Sequence, residues 1–235
     1  MINKLNAIKR LFMNDKELVA HEVLGLVKNN MTVGLGTGST ANLFIEALAK
    51  KIKAESLNIA VVASSTVSQL KAQEAGLNYI SLDQISEIDL YVDGADEITK
   101  ELEILKGRGY DLVREKLLAQ SSKSFIVIGD KSKIVSKIGE NYPIPVEITP
   151  IAWKITKNII ENIAENCVLR PNTAGDAFAI TSYGNYVLDC EFKYEDLSKL
   201  ANEISSIPGV FEHGIFLNLA KVALIANDGV IIKYN

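Results

Sequence analysis

The sequence predicts an α/β protein in which a Rossmann-like parallel-sheet domain is joined to a second, smaller α+β domain of the ferredoxin-like type. Short apolar strands alternate with helices over the first part of the chain, a pattern typical of a parallel sheet covered on both faces. Farther along, the order changes to β-α-β-β-α-β, which is that of a ferredoxin-like unit. With 235 residues, 48% apolar and 23% charged, the chain is long enough for one domain and a small companion.

Helical periodicity and end signals predict the elements of the first domain. Leu18, Val19 and Val23 recur at helical spacing, and a later segment begins with a hydroxyl and ends with lysines, as the helix dipole prefers. We therefore expect helices over 15–29, 40–53, 66–76 and 110–120. The apolar runs between them predict strands at 31–36, 58–64, 88–93 and 124–130.

Two prolines in the segment 142–148 mark a domain boundary, so we expect a first domain of 1–141 plus 215–235 and a second of 142–214. In the second domain Pro150 suits a helix start, and the tripeptide at 183–185 is a hairpin-turn signal. The closing segment predicts a two-strand hairpin that rejoins the first sheet. The second domain's elements are expected to be helices over 153–166 and 195–206 and strands at 145–148, 167–170, 177–181, 186–192 and 209–216.

The composition excludes several classes of protein. A net charge of −4 argues against a general nucleic-acid binder, and no apolar run approaches the roughly 20 residues of a membrane span. The polar N-terminus lacks a signal-peptide core, so we expect a cytoplasmic protein that binds neither nucleic acid nor membrane.

Cys167 and Cys190 are expected to be reduced packing thiols on neighbouring strands, and His213 a packed histidine. With two histidines in the chain, we expect no metal site.

The first loop of chemical interest is GLGTGST at 34–40, which opens a helix. Its glycines allow close approach of a ligand, the free N–H groups of the helix attract a phosphate, and Thr37, Ser39 and Thr40 add hydroxyls. A dinucleotide fingerprint is the rival, but Ser39 stands where its third glycine belongs and no acid ends the second strand. A P-loop fails as well, because no lysine follows Gly38. A simple tight turn is the remaining alternative.

Two further loops follow predicted strands. The run at 64–66 is rich in hydroxyls and is either a plain helix N-cap or a binding element. In DGADEI, Asp93 and Asp96 flank Gly94 and Ala95, so the two carboxylates can hold sugar hydroxyls or share protons. Metal ligation with help from Glu97, or an aspartate turn with an N-cap, are the alternatives.

The fourth loop, KGRG, begins with Lys106, a cation suited to stabilising an oxyanion. Glu115 follows on the next predicted helix, on a face shared with apolar residues that include Leu112 and Leu118. A glutamate that points inward there has a raised pKa and is suited to act as a general base. A surface ion pair with Arg114 or Lys116 is the alternative, and composition alone favours it.

Together, the loops GLGTGST, DGADEI and KGRG and the helix LVREKLLA resemble, in order and spacing, those of the A-type ribose-5-phosphate isomerases. The resemblance continues through GDKSKIV, YPIPVEI, GNYVLDC, PGVFEHGIF and the closing hairpin, and so covers nearly the whole chain. It implies an aldose–ketose isomerase of the non-oxidative pentose phosphate pathway that interconverts D-ribose 5-phosphate and D-ribulose 5-phosphate. The resemblance also implies that ring opening and proton transfer through an enediolate proceed without a metal or cofactor, and the family's habit implies a homodimer or homotetramer.

The resemblance also implies the roles of individual residues. Glu115 falls on the family's proton-shuttling glutamate, Lys106 on the lysine that stabilises the enediolate, and Asp93 and Asp96 on the aspartates that hold and open the sugar. The substrate-binding positions it implies are Lys16, Thr37, Gly38, Ser39, Thr40, Gly94, Ala95, Gly107, Arg108, Gly109 and Lys133, of which Lys16 rests on a looser alignment.

The glycine loop departs from the family pattern, because Arg108, Tyr110 and Asp111 stand where the family has glycine and then small residues. Arg108 would be strained if its position required a positive φ. Three interpretations are open: an ordinary backbone at Arg108, an added phosphate or carboxylate contact, or a displaced loop with weak or altered activity. Tyr110 could narrow the sugar pocket and change the sugar phosphate that fits.

Two other classes of function are weighed against the isomerase. A sugar-phosphate sensor that has lost catalysis would share the architecture, but both Lys106 and Glu115 are retained. An amino-sugar phosphate deaminase would be expected to use a histidine near the site, and a CoA transferase a nucleophilic glutamate in another motif. Neither His21 nor His213 lies in the four loops. Turnover of ribose 5-phosphate to a ketose separates these possibilities.

Overall fold

The computed structural model describes residues 13–235, so the polar N-terminal segment used to argue against a signal peptide lies outside the described residues. The chain divides into two compact units. The first comprises the described residues up to Ala95 together with Leu117–Ile134 and Asn218–Asn235, and the second comprises Asp96–Lys116 and Val135–Leu217. Residues 96–116, 135–141 and 215–217 therefore cluster with the second unit, whereas the sequence-based boundary assigns them to the first domain.

The first unit is built on a seven-stranded sheet that is parallel except for one edge strand. Its strands are β1 (Thr32–Leu35), β2 (Ala60–Ala63), β3 (Asn78–Tyr79), β4 (Leu90–Asp93), β7 (Phe125–Asp130), β13 (Ala220–Asn227) and β14 (Val230–Tyr234). They lie in the order β14-β13-β7-β4-β1-β2-β3. Bulky apolar side chains of the sheet and of the adjoining helices, Phe44 and Leu48 among them, form the core of the unit.

The helices that accompany this sheet begin where the sequence places their caps. Asn14 and Glu17 form a capping box at the start of α1 (Asp15–Val23), and Ser65 caps α3 (Thr66–Glu74). Helix α2 (Ser39–Glu55) follows Gly38, whose φ of 108° suits glycine. The predicted helix over 15–29 ends early, because a 3₁₀ turn at Leu24–Leu26 replaces its last part. Further 3₁₀ turns lie at Leu82–Gln84 and Lys131–Lys133.

The closing hairpin joins the first sheet, as predicted. Strand β13 runs parallel to β7 and antiparallel to β14. Asp228 and Gly229 at its turn both have positive φ, of 50° and 80°, the conformation that an Asp-Gly hairpin turn adopts.

The second unit has the predicted β-α-β-β-α-β order. Its elements are β8 (Ile144–Ile148), α5 (Trp153–Ile160), β9 (Asn166–Leu169), β10 (Tyr186–Glu191), α6 (Leu197–Ser206) and β11 (Val210–His213). The four strands form an antiparallel sheet in the order β11-β8-β10-β9. Cys167 and Cys190 are buried free thiols directly opposite each other on β9 and β10, as predicted.

Two strand predictions in this unit are wrong. Residues 177–181 make only isolated bridges, Pro171 with Phe178 and Ile180 with Tyr186, because a proline has no N–H for a ladder and the chain turns sharply over Asn172–Gly175. The expected strand over 209–216 is two strands, β11 and β12 (Ile215–Phe216), that pair with different sheets. Gly214 separates them, donating its N–H to Pro145 and accepting one from Lys106.

Strand β12 completes a small three-stranded antiparallel sheet with β5 (Glu97–Ile98) and β6 (Ile104–Leu105). Helix α4 (Leu112–Ser121) follows the glycine loop that leaves β6. The KGRG loop therefore follows β6 of this small sheet and not a strand of the parallel sheet. Among residues 13–235, no helix is long and apolar enough to cross a membrane.

Candidate active site

In the first unit, the glycine loop at 36–40 is held against the end of β4 by the carboxylate of Asp93. Asp93 is fully buried, and its Oδ1 accepts N–H groups from Thr37 at 3.0 Å and Gly94 at 2.7 Å. The hydroxyl of Tyr91 donates to Oδ2. Donors of this kind stabilise a carboxylate away from water. Asp93 therefore fixes the shape of the loop, a contribution that the sequence did not reveal.

The side chain of Thr37 is engaged by serines of the neighbouring loop. Its Oγ1 lies 2.9 Å from the hydroxyl of Ser64 and 2.7 Å from that of Ser65, and Ser68 Oγ donates to the Gly36 carbonyl at 2.6 Å. Ser65 also accepts the N–H of Ser68 as the N-cap of α3. The run at 64–66 is thus an N-cap, as one alternative held, and it also anchors the glycine loop.

Lys16 approaches the start of α2, where Gly38 and Ser39 are exposed. Lys16 Nζ donates to Ser39 Oγ at 3.0 Å. Burial raises the pKa of Asp130, but hydrogen bonds from Ser132 and the charges of Lys16 and Lys133 outweigh it and hold that pKa below its usual value. The structure therefore brings Lys16 close to Ser39 and places both lysines around Asp130, at the end of β7. Free N–H groups at a helix start, with cations nearby, suit an anion such as a phosphate.

In the second unit, Lys106 and Glu115 form a buried ion pair. Lys106 directly follows β6, its N–H bonded to Gly214, and Glu115 lies on the first turn of α4. The two charged atoms, Nζ and Oε1, are 3.4 Å apart, and each residue is only 4% exposed. Glu115 thus points inward, the first of the two interpretations, and pairs with Lys106, whereas composition alone favoured a surface ion pair with Arg114 or Lys116.

Asp96 and the glycine loop of KGRG meet in the same unit. The Arg108 N–H donates to Asp96 Oδ2 at 3.2 Å, and the Asp96 N–H donates to the Leu105 carbonyl at 2.8 Å. The positive φ values of the loop fall on Gly107, at 107°, and on Tyr110, at 70°, and not on Arg108. Arg108 thus has an ordinary backbone, the first of the three interpretations. Its guanidinium lies 4.0 Å from the ring centre of Tyr142.

Glu97 is a structural residue whose role the sequence did not indicate. It is fully buried, and its carboxylate accepts N–H groups from Gly139 at 2.6 Å, Asn141 at 2.5 Å and Tyr142 at 3.0 Å. The sequence-based alternative, in which Glu97 helps to ligate a metal ion, would have required its carboxylate to face that ion instead. Among residues 13–235, no group of three or more histidine, cysteine, aspartate or glutamate side chains is arranged to hold a metal ion.

These features define a class of protein. A buried lysine–glutamate pair at a glycine loop is suited to moving a proton next to a developing oxyanion. A glycine-rich helix start with a lysine nearby is suited to an anionic group on the substrate. The chain is an α/β protein with features suited to acid–base catalysis and to binding an anionic group.

Comparison with known proteins identifies the family. The sequence profile of "Ribose 5-phosphate isomerase A (phosphoriboisomerase A)" matches residues 60–229. The ribose-5-phosphate isomerase A of Thermococcus kodakarensis is 39% identical over 218 residues, which are 92% of this chain and 95% of the relative. The chain belongs to the ribose 5-phosphate isomerase A family.

Solved structures agree with this family membership. The ribose 5-phosphate isomerase A of Methanocaldococcus jannaschii superimposes with a TM-score of 0.88 at 34% identity, covering 93% of this chain and 96% of its own. A D-ribose-5-phosphate isomerase in complex with phospho-erythronic acid gives a TM-score of 0.90 at 35% identity, covering 94% and 99%. The predicted fold class is confirmed by these likenesses.

Proposed function

We propose that this chain interconverts D-ribose 5-phosphate and D-ribulose 5-phosphate by metal-free proton transfer, with Glu115 as the base and Lys106 as the cation that stabilises the enediolate. After ring opening, Glu115 takes the proton from C2 of the aldehyde form; the electron pair of that C–H bond forms the C1–C2 double bond, and the carbonyl pair moves to the C1 oxygen. The C2 hydroxyl proton then passes to the C1 oxygen while Glu115 delivers its proton to C1, which leaves the carbonyl at C2. The observation that carries this proposal is the buried pair of Lys106 and Glu115, 3.4 Å apart.

The chemistry requires this arrangement. A proton next to a carbonyl is removed only by a base placed within hydrogen-bond reach. The enediolate that results is stabilised by a cation in a site sheltered from water, and a buried lysine supplies one without further reorganisation. We propose that no metal and no cofactor take part.

Within the first unit, we propose that the phosphate is bound at the start of α2. The loop residues Thr37 and Gly38, the helix residues Ser39 and Thr40, and Lys16 are the ligands. Lys133 adds a second positive charge near Asp130. A phosphate held there supplies binding energy remote from the reacting carbons, which holds the sugar in place for the proton transfer.

We propose different contributions for the two aspartates of DGADEI. Asp96 is partly exposed and assists ring opening through a sugar hydroxyl, while buried Asp93 acts by shaping the loop that receives the substrate. Gly94, Ala95, Gly107, Arg108 and Gly109 are assigned contacts with the substrate through their backbone or, for Arg108, through the side chain. These roles rest on the family resemblance and on the position of each residue in its own unit.

The test measures ketose formation from ribose 5-phosphate in EDTA for the wild type, Glu115→Gln and Lys106→Met. We expect the wild type to be active and each variant to lose about 10²–10⁴-fold in kcat, the usual contribution of a positioned acid–base group. Glu46→Gln and Lys50→Met, which change exposed residues of α2, are matched controls expected to keep wild-type activity.

The possible results separate the alternatives. Wild-type activity that vanishes in EDTA contradicts the metal-free mechanism. Variants that keep activity within a few-fold contradict the assigned roles. Binding of ribose 5-phosphate without turnover, measured by calorimetry, would indicate a sugar-phosphate sensor, and turnover of another sugar phosphate alone would indicate an isomerase of different specificity.

We propose further that the protein is a cytoplasmic homodimer or homotetramer. The second unit exposes several large apolar side chains, and two of them, Tyr183 and Phe211, have ring centres 6.4 Å apart. Exposed apolar groups of this extent favour association. The others include Ile151, Ile155, Phe178 and Ile180.

Sedimentation velocity of the wild type and of Ile155→Lys tests the association. We expect an oligomer that the substitution weakens, and a wild-type monomer would contradict the proposal. Cell fractionation tests the location, with activity expected in the cytoplasmic fraction.

A further inference from the structure

We infer that Arg170 is a positioning residue that holds the glycine loop after Lys106 and thereby fixes the Lys106 ammonium for catalysis. This inference rests on the role proposed for Lys106. Arg170 lies at the end of β9, 63 positions along the chain from Gly107. It is buried, with 8% of its surface exposed, and its contacts are made within the second unit.

One guanidinium group holds two parts of this unit together. Arg170 Nη1 donates to the Gly107 carbonyl at 2.9 Å. Its Nε donates to Asp189 Oδ2 at 2.8 Å, and Nη2 donates to the other oxygen of the same carboxylate. The fork of the guanidinium is thus fixed on β10 by a bidentate pair, and its remaining edge reaches the loop.

Arg170 also supports the other end of the loop, because its guanidinium carbon lies 5.4 Å from the ring centre of Tyr110. The side chain therefore contacts the loop on both sides of Arg108 and Gly109. Cation–ring contacts of this kind add to the binding of the aromatic residue. A single buried residue thus sets the path of the chain from Gly107 to Tyr110.

The loop needs such support because its backbone is unusual at both ends. Gly107 has a φ of 107°, and a β-carbon there would lie 3.1 Å from Leu112 and 3.3 Å from Pro145. Tyr110 has a φ of 70°, a backbone conformation that is unfavourable for a non-glycine residue unless its surroundings enforce it. Without Arg170 the buried Gly107 carbonyl loses its side-chain donor, and the loop is free to relax.

Lys106 is the residue that this relaxation would move. It precedes Gly107 directly, and on its other side it is fixed by the N–H bond to Gly214. Its ammonium must stay near Glu115, 3.4 Å away, to act on the enediolate. A displacement of about 1 Å at a catalytic group costs up to roughly 10²-fold in rate. Arg170 therefore contributes to catalysis through the position of Lys106.

The experiment compares Arg170→Ala, Arg170→Lys and Asp189→Asn with Ile204→Ala, a control that removes a buried side chain from the same unit's core away from the loop. We expect kcat of Arg170→Ala to fall about 10–100-fold with a much smaller change in KM, because the loss lies in the transition state. Arg170→Lys is expected to recover little, since an ammonium cannot form the bidentate pair and reach Gly107 at once. The control is expected to lower the melting temperature and leave kcat within about twofold.

A second readout separates positioning from simple destabilisation. Added methylguanidinium should restore part of the kcat of Arg170→Ala and none of that of Lys106→Met. Wild-type kcat in folded Arg170→Ala, or an equal loss of kcat in Ile204→Ala, would overturn the inference. If Arg170→Ala does not fold, wild-type kcat in Arg170→Lys and Asp189→Asn would overturn it.

The same set of variants shows which claim fails. Wild-type kcat in Lys106→Met would overturn the role of Lys106 itself. An inactive Lys106→Met beside a fully active Arg170→Ala would overturn only the positioning role.

Discussion

The carboxylate of Asp93 occupies the space that a β-carbon on Gly36 would need. Such a carbon would lie 2.2 Å from Asp93 Oδ1 and 2.5 Å from the Asp93 Cα atom. The close approach lets the Thr37 N–H reach the same carboxylate at 3.0 Å. Glycine at 36 is therefore required by contact with Asp93, not by its backbone angles, since its φ is not positive.

Gly36→Ala is accordingly expected to displace the loop and lose at least about tenfold in kcat/KM, with a lower melting temperature, because overpacking typically costs 1–3 kcal/mol. Gly25→Ala is the matched control, because a β-carbon there meets nothing within 4 Å. Steady-state kinetics and thermal unfolding measure both. An active, stable Gly36→Ala protein would contradict the contact argument.

Thr37→Val is expected to weaken substrate binding, because it removes the hydroxyl that meets Ser64, Ser65 and Ser68 while keeping the shape of the side chain. Buried hydroxyls left without a partner cost about 1–3 kcal/mol, so we expect KM for ribose 5-phosphate to rise about 5–50-fold. Thr37→Ser keeps the hydroxyl and should stay near wild type. Equal KM values for the two variants would show that the hydroxyl network does not support binding.

Glu147→Gln is expected to stabilise the protein at alkaline pH. Burial raises the pKa of Glu147 above its usual value of about 4.5, opposed by hydrogen bonds from Asn185 and Thr181. The native state then holds the proton more tightly than the unfolded state, so stability is lost as pH rises above about 4.5. A glutamine at this position cannot ionise, so the variant does not lose stability in this way as the pH rises.

Thermal unfolding from pH 4.5 to 8.5 checks this expectation. The gain of Glu147→Gln should be largest at pH 8.5 and shrink toward pH 4.5. Glu203→Gln, which changes an exposed residue of α6, should show no such trend. A pH-independent difference for Glu147→Gln would contradict the assigned cause.

His213 is expected to make the protein less stable in mild acid. Burial and the charge of Lys116 lower the pKa of His213 to about 3, from a usual value of 6.5. Between these two values the unfolded state binds more protons than the native state, so stability falls as pH drops below about 6.5. One such residue changes the free energy of unfolding by about 1 kcal/mol per pH unit in this range.

Urea unfolding at pH 5 and pH 7.5 measures this dependence. His213 Nδ1 accepts the Ile215 N–H at 3.1 Å, and His213→Asn keeps an acceptor for that group but cannot titrate. The free energies of unfolding of this variant at pH 5 and pH 7.5 should therefore lie closer together than those of the wild type. His21→Asn, a change on an exposed histidine, should behave like the wild type. The same pH dependence in all three proteins would rule out His213 as the source.

Much of the fold and the site followed from local patterns. The alternation of apolar strands and helices predicted the parallel sheet, and the Asp-Gly pair at 228–229 predicted the hairpin turn. The apolar neighbours of Glu115 on α4 indicated an inward glutamate, which the structure has, although composition alone favoured a surface ion pair. These features depend on residues within one or two turns of each other, so the sequence displays them directly.

The remaining features depend on contacts between distant parts of the chain. Strands β5, β6 and β12 have two residues each, too few to show a period, and β12 pairs with β6 across about a hundred residues of chain. Only the three-dimensional structure shows the partner of Glu115, the ordinary backbone of Arg108, the burial of Asp93 and the hydrogen bond from Arg170 to Gly107. Local spacing predicts most of the helices and the longer strands and shows which residue types carry the chemistry. Which carboxylate meets which cation depends instead on the tertiary structure, because a buried charge takes its partner from whatever the packing of the whole unit brings within reach.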